Sequence, residues 1–163
     1  MVELESPFAA IARHQVVPPV NVEHLAETLG LPVLRKDLGT AVSAMIQRDH
    51  HRASPSGFII YINAIDPLVR QRFSLAHEIA HFILHRDLIE QGVTDDTMYR
   101  SSELSSVYET QANQLAADIL IPIRLVKKSY QANQSLSQLA ALFQVSKGAM
   151  KIRLTGMGLN PQP

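Results

Sequence analysis

Residues 72–85 read RFSLAHEIAHFILH, and the longer segment LVRQRFSLAHEIAHFILHR (68–86) carries the strongest helical pattern in the chain. Phe73, Ala76, His77, Ala80, His81 and Leu84 recur at spacings of three and four, while Leu75, Ile79, Phe82 and Ile83 cover the adjoining side. A helix that is apolar on nearly every side is a buried one. Inside it, His77-Glu78-Ile79-Ala80-His81 has the form H-E-x-x-H. Four residues make just over one turn, so the two imidazoles leave the same face and can close on one ion at about 2.0–2.1 Å each. Glu78 lies roughly 100° round the helix, within reach of a water on that ion without being a ligand itself. The competing explanation, two core histidines and a paired glutamate, buries three polar groups without an ion. That costs several kcal/mol, and the chemical explanation is preferred.

A catalytic metal site needs a third protein ligand and an open position for water. Downstream candidates are His85, Asp87, Glu90, Asp95, Asp96, Glu103 and Glu109. His85 continues the stripe of His77 and His81 but lies too far along a straight helix to share their coordination sphere, and is expected as a pocket or core residue. Glu109 opens Glu109-Thr110-Gln111-Ala112-Asn113 on the next helix, where Ala112, Ala116 and Ala117 permit close packing. Ser106-x-x-Glu109 also has the form of a capping box, which would engage the carboxylate with a backbone N–H. Ligation is favoured by Asn113, one turn on, whose amide oxygen can accept the N–H of a ligating histidine and fix its tautomer. The chemistry expected of such a site is hydrolysis of a peptide or amide bond. Zinc lowers the pKa of its water to about 7, and Glu78 takes the proton and returns it to the leaving amine. Manganese or iron also suits two histidines and one glutamate. A second donor for the developing oxyanion is expected from Tyr99, Arg100, Tyr108 or His85, and the sequence does not choose among them.

The 163 residues are enough for one domain with its own core. Cysteine is absent, which excludes disulfides, thiolate metal sites and a cysteine nucleophile. No stretch reaches the roughly 18 apolar residues of a membrane span, and MVELESPFAAIARH does not read as a signal peptide, so a cytoplasmic protein is expected. Formal net charge is zero but lopsided: Asp118 is the last acidic residue, and Arg124, Lys127, Lys128, Lys147, Lys151 and Arg153 follow it. A tail of +6 is modest for a DNA-binding segment. Attraction between tail and body, or a solvated face, is preferred over nucleic-acid binding.

Ser6-Pro7 reads as a cap and first-turn proline for FAAIAR, and Asn21 caps VEHLAETL, which Gly30 stops. LPVLRKDL, VSAMIQRD and GFIIYINA read as strands of a small, mostly antiparallel three-stranded sheet. Asp66-Pro67 reads as a further cap and first-turn proline ahead of the H-E-x-x-H helix. DDTMYRSSELSS reads as a loop, followed by a helix SVYETQANQLAADILI ending at Pro122. Ser135 and Ser146 read as caps of LSQLAALF and KGAMKIRL, a helix, short turn, helix arrangement with Ala140, Val145 and Ile152 as core positions. His50-His51 follows a strand and offers a second pair of metal-ligand side chains, but adjacent strand residues point to opposite faces, so the pair reads as turn or surface. The fold class expected is α+β, the sheet packed on the H-E-x-x-H helix with further helices. Residues 1–122 form a zincin-like core and residues 123–163 a helix-turn-helix-like segment packed on it as one unit.

Taken together, RFSLAHEIAHFILH, ETQANQLAADILIP (109–122) and ALFQVS (141–146) resemble the ImmA/IrrE family of metallopeptidases. The resemblance runs from about Leu31 to Leu154, and the preceding HLAETLGLPV also fits the family's leading helix. It implies that His77 and His81 are the two histidine ligands, Glu109 the acidic ligand and Glu78 the base. Gln111 stands where many relatives have a second Glu. It further implies a partner: a helix-turn-helix repressor or antitoxin of the Xre type, cleaved to derepress phage, mobile-element or stress genes. Some members are regarded as toxins, so a toxin or regulatory component acting by protein or DNA binding without proteolysis is the alternative. The chain is short for the family, with room for core and tail and none for a further sensor domain. The basic tail is free to meet DNA, the partner or only the core.

Overall fold

The computed structural model describes residues 5–90, 103–130 and 134–161, which form eight helices and three strands. Helix α1 (Pro7–His14) starts where the Ser6 side chain accepts the Ala9 N–H. Helix α2 (Val22–Thr28) starts where Asn21 accepts the His24 N–H. Gly30 then turns the chain at φ +74°, a left-handed conformation that side chains disfavour. A Cβ there would also stand 2.9 Å from the Pro55 Cβ. Both constraints select glycine.

The sheet is mixed. Strand β1 (Val33–Lys36) runs parallel to β3 (Phe58–Asn63), and β2 (Ala44–Arg48) pairs antiparallel with β3 from the other side, giving the order β1-β3-β2. FIIYIN in β3 is apolar without alternation because the strand is central and covered on both faces. Its last residue, Asn63, is 2% exposed and organises the crossover that carries β2 to the far edge. The Asn63 amide donates to the carbonyls of Gly39 (2.7 Å) and Val42 (2.8 Å), and its oxygen accepts from the Leu38 and Ile65 N–H groups, both at 3.2 Å. The tight link from β2 to β3 is held by Asp49, which accepts from the N–H groups of His51, Arg52 and Ser54. His50 and His51 lie there, exposed, as expected of a turn.

Helix α3 (Leu68–Leu84) is the H-E-x-x-H helix. Pro67 occupies its N-cap position and no side chain caps it, so Asp66 does not play the capping role its sequence suggests. The helix begins one residue later than that role requires, and Gln71 instead donates to the Asp66 carbonyl at 2.9 Å. Leu75, Ala76, Ile79 and Phe82 are buried, with Phe82 edge-on to Phe58 at 5.6 Å, while Leu84 at the far end is 42% exposed. A short helix α4 (Arg86–Glu90) follows, with the Arg86 guanidinium 4.0 Å above the Phe82 ring.

Helix α5 (Glu103–Leu120) lies against α3 through Ala112 and Ala116, both wholly buried. It starts earlier than its sequence suggests, so Glu103 to Ser106 are helical rather than loop. Ser106 is therefore inside the helix rather than at its start, and its carbonyl accepts from the Thr110 hydroxyl. Pro122 ends α5 and also opens α6 (Ile123–Tyr130), its carbonyl accepting the Val126 N–H at 3.0 Å. Helices α7 (Leu136–Phe143) and α8 (Lys147–Gly156) are capped by Ser135 and Ser146 as read from the sequence. Ala140 and Val145 are buried, but Ile152 is 75% exposed: Met150 and Leu154, one turn apart, supply the buried face of α8, and Ile152 lies on the opposite side. Arg72 of α3 ties the chain's two ends to the centre, donating to the carbonyls of Val20 (2.9 Å), Gln144 (3.2 Å) and Phe143 (3.4 Å).

Candidate metal centre

The contact of α3 with α5 sets one carboxylate opposite two imidazoles. His77 and His81, one turn apart, face α5, where Glu109 projects back toward them. His77 Nε2 and His81 Nε2 are 3.0 Å apart, and Glu109 Oε2 stands 3.2 Å from the first and 3.3 Å from the second. Among the described residues, these three form a group of donors able to hold one ion. Four ligands held tetrahedrally at about 2.0–2.1 Å lie roughly 3.3 Å from one another. The three observed separations fit that triangle, so the residues suit a divalent cation with one further position open.

The surroundings orient each donor. His77 Nδ1 donates to Asn113 Oδ1 at 2.9 Å, the contact its place on α5 suggests. His81, with 1% of its side chain exposed, has its Nδ1 2.9 Å from His85 Nδ1, and His85 Nε2 is 2.8 Å from Gln111 Oε1. His85 is thus placed behind His81 rather than on the ion, with Tyr108 edge-on to it at 4.7 Å. Burial pushes the His85 imidazole below its ordinary pKa, against the opposing pull of the Gln111 hydrogen bond. Tyr99 and Arg100 lie outside the described residues. The sequence marks Gln111 only as standing in place of a second Glu; its contact with His85, 26 residues away, has no local signal.

A cleft of about 410 Å³ opens beside the trio. Glu78, 2% exposed, lines it together with His77, Glu109, Asn113 and Phe73, and residues 41–47 form the opposite wall. That wall contains β2, one of the sheet's two edge strands, whose outer side pairs with no strand among the described residues. The arrangement brings together a trio of donors able to hold a cation, a buried carboxylate and the edge of a strand. The last of these was not legible beforehand, because which strand lies at the edge is a property of the topology.

No helix among the described residues is long and apolar enough to cross a membrane. The family model Peptidase_M78, described as the IrrE N-terminal-like domain, matches residues 26–155. Among curated proteins, the chain is similar to Metallopeptidase ImmA of Bacillus subtilis, 27% identical over 140 residues, which is 85% of this chain and 77% of that protein. It is also similar to Radiation response metalloprotease IrrE of Deinococcus radiodurans, 34% identical over 106 residues, 62% of this chain but only 32% of the relative. A solved Mycobacterium tuberculosis transcriptional regulator shares the fold, with a TM-score of 0.58 at 18% identity over 91% of this chain and 46% of the other. The chain thus spans under half of that regulator and about a third of IrrE. With a family model covering most of its length, this chain belongs to the ImmA/IrrE family of metallopeptidases.

Proposed function

We propose that this protein is a zinc-dependent endopeptidase that acts in the cytoplasm on a helix-turn-helix, Xre-type repressor or antitoxin and so derepresses the genes that partner controls. The observation that carries this reading is the convergence of His77 Nε2, His81 Nε2 and Glu109 Oε2 on one point at the edge of a cleft that Glu78 also lines. Manganese is the alternative occupant for such a donor set.

When bound there, the cation supplies Lewis-acid polarisation of the scissile carbonyl and acidifies the attacking water. The chain's own groups do the rest. His77, His81 and Glu109 hold the ion, Asn113 keeps His77 in the tautomer that presents Nε2, and Glu78 takes a proton from the attacking water and passes it to the departing amine. The outer side of β2 offers backbone N–H and C=O groups to an extended substrate, which aligns it along the cleft as an added strand. In this reading residues 1–122 are the peptidase core, and residues 123–163 form the helix-turn-helix-like segment packed on it. Ties such as Arg153 to Asp118 (2.7 Å) and Arg124 to the Gln15 carbonyl (3.0 Å) support a packing role for that segment and draw two of its six basic residues away from any nucleic acid.

The test uses zinc-loaded protein and the helix-turn-helix proteins encoded beside its gene. Cleavage by the wild type, with none by Glu78→Gln at equal zinc content, is expected. Cleavage that survives Glu78→Gln removes the proposed base. A neutral or toxic outcome independent of Glu78, with intact partner recovered, favours a toxin or regulator acting by binding alone.

A further inference from the structure

The relay His81–His85–Gln111 has a direction that can be derived from its ends. A Gln111 Oε1 only accepts, so the His85 Nε2 at 2.8 Å from it is the protonated nitrogen. Neutral imidazole carries one proton, which leaves a lone pair on His85 Nδ1. That lone pair faces His81 Nδ1 at 2.9 Å, in a place where His85 is 6% exposed and water does not compete. His81 Nδ1 must therefore be the donor, and its own lone pair is left on Nε2, the atom that faces His77 and Glu109. If the chain of bonds ran the other way, His81 Nε2 would carry the proton and would not be a ligand.

We infer that His85 and Gln111 are positioning residues: they act through His81, holding it in the tautomer that presents the Nε2 lone pair to a cation. This rests on the metallopeptidase reading above. Helix α5 then serves the site three times at alternate positions: Glu109 as a donor to the ion, Gln111 anchoring His81 through His85, and Asn113 anchoring His77 directly. The inference assigns Gln111 a job that neither its exposure nor its residue type announces, and it moves His85 from the substrate side of the cleft to the support of a ligand.

The experiment measures zinc affinity by competition with a chromophoric chelator, without reference to catalysis. His85→Phe fills the space but accepts nothing, and is expected to weaken zinc binding by roughly 10–100-fold, the usual effect of losing the partner of a ligating histidine. His85→Asn, whose Oδ1 can stand where Nδ1 stood, recovers most of that loss. At the exposed end of the relay, Gln111→Leu weakens binding while Gln111→Glu, which can only accept, keeps or strengthens it. The double variant His85→Phe, Gln111→Leu binds no more weakly than His85→Phe alone, because the second change acts only through the first. Wild-type protein that takes up no zinc overturns the metal reading and the relay with it. Wild type that binds zinc, with Gln111→Leu and Gln111→Glu indistinguishable, overturns the relay alone. Equal loss in His85→Phe and His85→Asn also overturns it, since that pattern marks a packing role.

Discussion

Replacing Glu109 by Ala separates the metal site from the fold that holds it. Glu109 Oε2 closes the triangle with the two imidazoles, and with its side chain 33% exposed those contacts are partly screened by solvent, so removing it from metal-free protein costs little more than an ordinary exposed ion pair. The metal-free melting temperature should then fall by no more than about 2–4 °C, the equivalent of about 1 kcal/mol for a chain of this size. Zinc gives the contrast. At a free concentration about a thousandfold above its dissociation constant, zinc should stabilise the wild type by about 4 kcal/mol. For a chain of this size that amounts to a rise of roughly 8–16 °C. Structural zinc sites with four ligands are worth about 10–16 kcal/mol, hence roughly 3–4 kcal/mol per ligand, or two to three decades of affinity. Glu109→Ala at the same zinc concentration should keep a shift of only about 0.4–1.4 kcal/mol, on the order of 1–6 °C. Differential scanning fluorimetry with and without zinc reads both numbers. A Glu109→Ala variant with the full wild-type shift refutes the placing of this carboxylate on the ion.

The C-terminal helices supply a stability contrast: Met150→Ala, at a wholly buried position, should cost about 2–5 kcal/mol by urea denaturation, and Ile152→Ala, 75% exposed, within about 0.5 kcal/mol. Equal costs contradict the register of α8. Hydrogen bonds from the backbone N–H groups of Arg52, Ser54 and His51 hold the Asp49 carboxyl below its ordinary pKa. A depressed carboxylate gives stability that is present above its unfolded pKa of about 3.9 and is lost as pH falls through the folded value. Denaturation midpoints taken from neutral pH down to acid should therefore drop less steeply in Asp49→Asn than in the wild type; parallel curves contradict this. Arg72→Met leaves three carbonyls without their donor and should destabilise by about 1–3 kcal/mol, with proteolysis near residues 143–145 increasing; resistance equal to the wild type contradicts the tie.

Local chemistry was legible wherever one side chain sets one backbone angle or one face. Ser6, Asn21, Ser135 and Ser146 each cap the helix their sequence announces, because a cap needs only a residue three positions on. The H-E-x-x-H pair and the Glu109–Asn113 spacing were readable for the same reason, as helical geometry fixes which neighbours share a face. Features set by distant partners were not. Pro122 signals the end of α5, and nothing local reveals that it also opens α6, whose burial rests on Leu125 and Val126 meeting the rest of the core. On α8 both Met150 and Ile152 are apolar, and only packing against the other helices selects Met150. The parallel pairing of β1 with β3 follows from a crossover loop that Asn63 holds from within the core, so the strands were visible and their order was not.

X-ray absorption at the zinc edge of the purified, zinc-loaded protein meets the claim about convergence most directly. One zinc per chain, with a nitrogen and oxygen shell at about 2.0–2.2 Å and the outer scattering of two imidazoles, is the expected spectrum. His81→Ala should reduce that imidazole scattering and the zinc content together. A wild-type spectrum with only an oxygen shell, or one unchanged by His81→Ala, contradicts a cation held by His77, His81 and Glu109.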